Sequence, residues 1–386
     1  MSEKKSVSLP GRRHFIRLLG GCSILLLPAL SGCVNKESAG RPKTPPHDDL
    51  RYRWLAAAAQ APSSHNMQPW KVELTSGTAM LLYANSRYLL PEADPESRQT
   101  MVSLGGFLEL LSMAAGAEGF CCDIQLFPSG ENINQPVAQI AFRRAKGVSR
   151  ADGLLPYISV RRTIRSGFIH NRPLTEERLS LLLTEGTCYG TLCKGSIGSQ
   201  QVVAIGEMAT NAWLTDISQP AIMQEMLGVT RIGRKEIAQH RDGIAIEGFL
   251  PELAEMLGMF PRDSLPAKDS AMMKNKQEMG KQQAASAAGW VWVVSPDNSR
   301  TAQIAAGRAF VRLHLRATQL GIALQPMSQG LERYPAMEEH RRALYRTLGM
   351  ALGKETIQML ARVGYAEGGR ATPRRSVSEF VVQKAI

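Results

Sequence analysis

The sequence predicts an α+β protein made of two related halves, each built on a long helix set among short strands. Three observations carry that expectation. Residues 100–117 place apolar side chains at helical spacing, and Gly119 ends the run. Residues 308–320 do the same, and Gly321 ends that run. Each helix is preceded by a strand-like run and followed by an apolar one. Residues 104–119 and 309–321 therefore occupy equivalent places in two successive segments, 50–150 and 151–386.

Taken in order, residues 50–60 are rich in Ala and predict a helix. A loop follows over 61–70, then strands over 71–75 and 79–84. Alternation over 137–142 predicts another strand. The second segment begins near Tyr157 with a basic run, 158–168. Thr175, just before Glu176 and Glu177, suits the N-cap of a helix over 176–185. Residues 201–205 and 290–294 read as buried strands, 360–365 as a last strand and 370–382 as a tail. Residues 217–283 break the pattern with many Met and several Pro and Gly. An insertion this long between core elements reads as a lid, although Met-rich helices also simply pack.

Of 386 residues, 44% are hydrophobic and 21% charged, which suits a soluble body. No run of eighteen apolar residues follows the N-terminus, so no internal membrane span is expected. The net charge is +12. Five basic residues against Glu3 give residues 1–32 a share of +4, leaving +8 for the rest. Basic residues are scattered and no nucleic-acid motif occurs, so a phosphorylated cofactor is the expected anion and nucleic acid is not a partner.

Residues 1–32 read as an address rather than as fold. Arg12-Arg13-His14-Phe15-Ile16-Arg17 is a twin-arginine signature ahead of a short apolar run. Leu30-Ser31-Gly32-Cys33 resembles a lipoprotein cleavage box, which would put lipid on Cys33 and anchor a periplasmic protein to a membrane. Residues 33–49 then form the tether. Cys188 and Cys193 are spaced for a small-loop disulfide or stand as buried thiols. His and Cys show no metal-type spacing.

Three segments carry chemistry. The loop Ala61-Pro62-Ser63-Ser64-His65-Asn66-Met67-Gln68-Pro69-Trp70 gathers hydroxyls and amides that suit the edge of a planar heterocycle, or else a capping turn. In Arg161-Arg162-Thr163-Ile164-Arg165, alternate residues of an extended chain point together, which suits a phosphate, or else a solvated basic turn. Pro373-Arg374-Arg375-Ser376, after Gly364-Tyr365, is a second cationic cluster.

Together these segments resemble the nitroreductase family. The first resembles its Ser-Ser-x-Asn-x-Gln-Pro-Trp loop, the second its basic opening, and the third its closing basic segment. Residues 100–119, with Gly105-Gly106, resemble its central helix, and 308–321 resemble a second copy. The order of motifs resembles the Acg-like branch, in which one chain contains both halves as a pseudo-dimer.

The resemblance implies one FMN between the halves. Arg161, Arg162, Thr163 and Arg165 would serve its phosphate, ribityl chain and pyrimidine edge, with Arg374 and Arg375 also at the phosphate. Ser63, Ser64, Asn66 and Gln68 would approach from the other half, and Gln325, Met327 and Ser328 would lie along the flavin face. It also implies an oxidoreductase with ping-pong hydride transfer through flavin N5, NAD(P)H or another donor, and a nitroaromatic or quinone-like small-molecule acceptor. No metal and no dedicated catalytic side chain are expected. The alternative is an FMN-storage protein whose lid excludes nicotinamide.

Overall fold

A computed structural model describes residues 48–146, 151–198, 200–248, 252, 253, 256 and 265–383. The expected signal, Cys33 and nearly all of the tether lie outside them, as does much of 249–264. The architecture is α+β, and its two halves repeat one plan.

In the first half, helix α1 (Leu50–Ala58) leads to β1 (Trp70–Ser76) and β2 (Ala79–Ala84). Helix α2 (Arg98–Ala117), β3 (Phe120–Leu126) and β4 (Ala138–Arg144) complete it. In the second half, helix α3 (Glu176–Gly186) leads to β5 (Leu192–Ile197), and a long insertion separates that strand from β8 (Gly289–Ser295). Helix α8 (Arg300–Gln319), β9 (Ala323–Pro326) and β10 (Thr356–Gly364) follow. Within the halves the strands run β1-β2-β4-β3 and β5-β8-β10-β9, each of these pairs antiparallel, so each strand has a counterpart at the same place in the other half.

The insertion stands where the first half has the Gly77–Thr78 hairpin turn. It contains α4 (Gln200–Ser218), α5 (Pro220–Gly228), β6 (Thr230–Ile232), α6 (Gly233–Gln239), β7 (Ile244–Ile246) and α7 (Ala271–Ala285). A last helix, α9 (Glu338–Thr347), sits between β9 and β10.

Helices α2 and α8 cross at the centre of the molecule, and glycines make the crossing possible. A methyl on Gly105 would overlap the Ile304 carbonyl oxygen, and one on Gly307 would overlap that of Val102. Each glycine thus meets the carbonyl three residues ahead of the other. This reciprocal contact is the packing expected of a duplicated element. By length and composition α2 could cross a bilayer, but 83% of its most apolar window is buried here, as in a core helix.

Thr175 caps α3 by accepting from the Arg178 amide. Gly321 adopts φ +67 beyond α8, the left-handed stop expected there. Residues 201–205, expected as a strand, instead open helix α4. The strand is β5, just before it. The short apolar run is ambiguous in period, and the longer pattern Ile205, Gly206, Ala209, Ala212, buried on one face, decides for the helix.

The tail also differs from expectation. It contributes β11 (Val381–Gln383), which pairs in parallel with β1 and makes the first sheet mixed. The first half therefore has its sheet closed by a strand from the second. Cys121, Cys122, Cys188 and Cys193 are all free thiols.

Candidate functional site

The loop between α1 and β1 is built by unusual backbone. His65, Asn66 and Gln68 all have positive φ, at 47, 57 and 54. Non-glycine residues there cost energy and persist where neighbours over-determine them. The neighbours are visible. Ser63 Oγ accepts from the Gln68 amide at 3.0 Å. The Asn66 carboxamide donates to the carbonyls of Gly243 and Pro373, both at 3.2 Å. Gln68, fully buried, donates to the Arg241 carbonyl at 2.7 Å and accepts from the Arg375 amide at 2.9 Å. Ser64 Oγ contacts His65 Nδ1 at 3.0 Å, and its amide faces Ser103 Oγ on α2. Ser63 and Gln68 are thus spent on shaping the loop, while Asn66 joins it to the closing basic segment.

Arg161 and Arg374 meet at this loop from the other half. Both guanidiniums donate to the Gln60 carbonyl, at 2.9 and 3.4 Å, and Arg374 also donates to Asn66 Oδ1 at 2.5 Å. His314, buried on α8, orients Arg161. It accepts from Arg161 at Nδ1 (3.3 Å), and its Nε2 donates to the Arg162 carbonyl (3.0 Å). Burial, with Arg161 beside it, holds His314 well below its ordinary pKa, so the ring is neutral and one nitrogen stays an acceptor. A single His on an otherwise apolar helix face was its sequence signal.

Arg165 is different. Its side chain is open to water, and the protein packed around it pulls its guanidinium below the ordinary value. Among the described residues it has no hydrogen-bond or ion-pair partner for that charge. His65 lies beside it. Burial, then the charges of Arg165 and Lys276, lower its pKa to about 4. A cation without a counter-charge, beside a neutral imidazole, suits an electron-rich or anionic ligand. Thr163 lies half-buried between the two arginines, and Arg162 turns back to the Ser159 and Arg161 carbonyls.

Gln325, Met327 and Ser328 were expected along a ligand face, but their side chains are committed to the interior. Gln325 bonds Gln283 and Arg362 at 2.9 and 2.7 Å, and Ser328 Oγ bonds both backbone groups of Leu360. Met327 sits in a core cluster with Trp290 and Leu331. Alternation on β9 and the turn after it directs these side chains inward, while its backbone meets the basic segment, the Ile164 amide donating to the Leu324 carbonyl at 3.3 Å.

Sequence reasoning missed Arg362. Fully buried, it donates to the carbonyls of Ser166 and Gln283 at 2.6 Å each and stacks 3.7 Å from the centre of the Phe168 ring. Its hydrogen-bond partners are all neutral, and burial lowers its pKa to about 9. It adds positive charge directly beneath the segment that carries Arg165. Its signal was one Arg inside an apolar strand.

The duplication relates the Ser-Ser loop to residues 187–191, between α3 and β5. Tyr189 there also has positive φ, at 54. That loop, however, is tied down by charge. Tyr189 donates to Glu109, which also pairs with Arg308 and Arg312 at 2.9 Å each. Arg312 in turn reaches Asp152 and Glu185. Related loops therefore have different fates, one an open polar recess and the other a closed ionic network.

No protein-family model matches the chain. Its relatives include a Mycobacterium tuberculosis protein with the provisional name NAD(P)H nitroreductase Rv3131, 25% identical over 338 residues, 85% of this chain and 89% of the relative. A second Mycobacterium tuberculosis relative, with the provisional name NAD(P)H nitroreductase acg, is 26% identical over 337 residues, 83% of this chain and 92% of the relative. Among solved structures, the chain overlaps the FMN-dependent nitroreductase NfnB of Mycobacterium smegmatis in complex with NADPH at 17% identity and a TM-score of 0.37, over 58% of this chain and 94% of that one. The match spans most of both mycobacterial relatives, so it takes in both halves and the insertion rather than one motif.

Proposed function

We propose that this chain is an FMN-dependent oxidoreductase of nitroreductase type, with one flavin held between its halves. The observation that carries the reading is the convergence of Arg161 and Arg374 on the Gln60 carbonyl beside the Ser-Ser loop, with Arg165, which has no partner for its charge among the described residues, next to neutral His65. The names of the two mycobacterial relatives support it.

In this reading Arg161 and Arg374 hold the phosphate, and His314 keeps Arg161 aimed. Thr163 serves the ribityl chain and Ser64 the ring edge, while Asn66 holds Arg374 in place. Arg165 places fixed positive charge at the pyrimidine edge, where negative charge develops on reduction. FMN, when bound, would supply the redox chemistry, accepting a hydride from NAD(P)H at N5 and passing it to a nitroaromatic or quinone-like acceptor. His65, neutral at pH 7, adds no second positive charge to the recess.

The test is direct. The purified chain is expected to be yellow, to release FMN on denaturation, and to consume NADPH with a nitroaromatic or quinone. A colourless protein overturns the flavin site.

A second reading, FMN storage, has one observation in its favour. The insertion is docked on the Ser-Ser loop, with Asn66 and Gly243 bonded in both directions and Ile222 packed against Met67, Leu90 and Ala93. A yellow protein that leaves NADPH unconsumed would select it. The twin-arginine and lipoprotein motifs further propose export and anchoring through Cys33. A Cys33→Ala chain that still fractionates with membranes would overturn the anchor.

A further inference from the structure

Consecutive residues of the closing basic segment face different ways. Arg374 turns to Asn66 and Gln60, the side where Arg161 arrives. Arg375 turns to a separate cleft of about 310 Å³, lined by Arg87, Tyr88, His240, Arg241, Asp242 and Glu379 among others. Arg375 is only 3% exposed, yet its Nε and Nη1 are buried without a hydrogen-bond partner. Its Nη2 is anchored on the Gln68 and Trp70 carbonyls, and its plane lies 4.0 Å from the centre of the Tyr88 ring. Arg241, from the insertion, likewise has a buried Nε without a partner.

The acids of the cleft are already engaged. Asp242 is held by Arg231 at 2.8 Å, and Glu379 accepts from the Ser376 amide and hydroxyl at 2.6 and 2.5 Å. Glu379 stands 3.6 Å from Arg241. With Asp242 neutralised by Arg231, the cations Arg87, Arg241 and Arg375 outnumber the one remaining acid. Unsatisfied guanidinium donors in a cleft of this size are a poor end state unless an anion completes them.

We propose that this cleft is a second anion site, distinct from the one where Arg161 and Arg374 meet, which takes the phosphate group of a small phosphorylated molecule. Two guanidiniums from different segments, Arg375 on the closing basic segment and Arg241 on the insertion, grip it, and Arg87 closes the outer side. Occupancy ties the insertion to the body of the protein, because the grip needs both. The inference does not depend on flavin chemistry. It does remove Arg375 from the flavin phosphate and leaves that role to Arg161 and Arg374.

The test is calorimetric titration of the full chain, in phosphate-free buffer, with orthophosphate, with AMP and with pyrophosphate. Saturable binding of at least one of them is expected, without release of flavin. Orthophosphate binding as tightly as AMP identifies a free-ion site; tighter AMP binding identifies a phosphate ester, and tighter pyrophosphate binding a diphosphate group. Arg241→Ala and Arg87→Ala are each expected to weaken binding about tenfold or more with flavin content unchanged. These side chains sit at the rim, so their loss leaves the fold intact, and unchanged thermal melting checks this. Absence of saturable binding in the millimolar range overturns the proposal. So does binding indifferent to both substitutions, or binding that displaces flavin, which would return Arg375 to the flavin phosphate.

Discussion

Helices α2 and α8 have the same length, 20 residues, and meet through reciprocal glycines, yet they carry different loads. Helix α2 is buried along nearly its whole length, and its one buried acid, Glu109, serves the ionic network. Helix α8 carries Arg308, Arg312 and Arg316 toward that network and His314 toward Arg161. Their starts differ too. Ser299 caps α8 with its side chain, whereas Ser97 precedes α2 in left-handed backbone without capping, and Asp94 accepts from the Gln99 and Thr100 amides instead. The lesson is that close backbone packing has held the duplicated frame constant while the polar residues hung on it diverged. One loop became a recess and its counterpart a lock.

Four measurements would break or sharpen that contrast. The largest effect belongs to the shared crossing. Gly307→Val and Gly105→Val should each cost roughly 3 kcal/mol or more in urea unfolding, because side-chain atoms would displace backbone of the facing helix. A loss below about 0.5 kcal/mol, the scale of an ordinary surface change, would show that the crossing is not what holds the halves together.

Next comes the division of labour at the recess. Arg161→Ala combined with Arg374→Ala should lower flavin affinity by about a hundredfold or more, with circular dichroism unchanged, since each removes a charge-assisted bond. Ser64→Ala should cost about tenfold at most. Equal losses would erase the distinction between cationic and neutral sides.

Acid should single out the recess as well. His65 has a folded pKa of about 4, below its ordinary value, so the unfolded chain takes up its proton first as pH falls. Stability should therefore decline between about pH 6.5 and 4. His65→Asn, which tolerates positive φ, should flatten that limb by on the order of 1 kcal/mol. An unchanged limb would remove His65 from the buried recess.

The smallest effects lie at the helix starts. Ser299→Ala should cost about 1 kcal/mol, while Ser97→Gly should be neutral or gain a few tenths. Matching losses would mean the two starts are equivalent after all.

What was legible in the sequence was what is set locally. The 79–84 strand, both central helices and the Thr175 cap follow from period and capping chemistry. The meeting of the Ser-Ser loop with the basic segments was legible only through the family resemblance, since residue types alone left each of them open to a reading as a capping loop, a solvated turn or a basic tail. Less legible were features set by distant partners. Residues 201–205 looked like a strand until the spacing of Gly206, Ala209 and Ala212 is considered. Three residues of tail gave no periodic signal for β11. His314 and Arg362 are single polar residues in apolar elements, and their purpose appears only when Arg161 and Ser166 are brought beside them. Gln325, Met327 and Ser328 lie in the expected segment but face the wrong way, which segment likeness does not resolve.

The pairing of β11 with β1 has a consequence for how the chain is made. The first sheet receives its outer strand from residues 381–383, more than two hundred positions after its own last strand ends at Arg144. A ribosome must therefore translate as far as residue 383 before the earliest strand has both neighbours. Until then β1 offers an open edge, the kind of surface that holding chaperones and proteases recognise. Closing that edge late couples maturation of the first half to synthesis of the strand at 381–383.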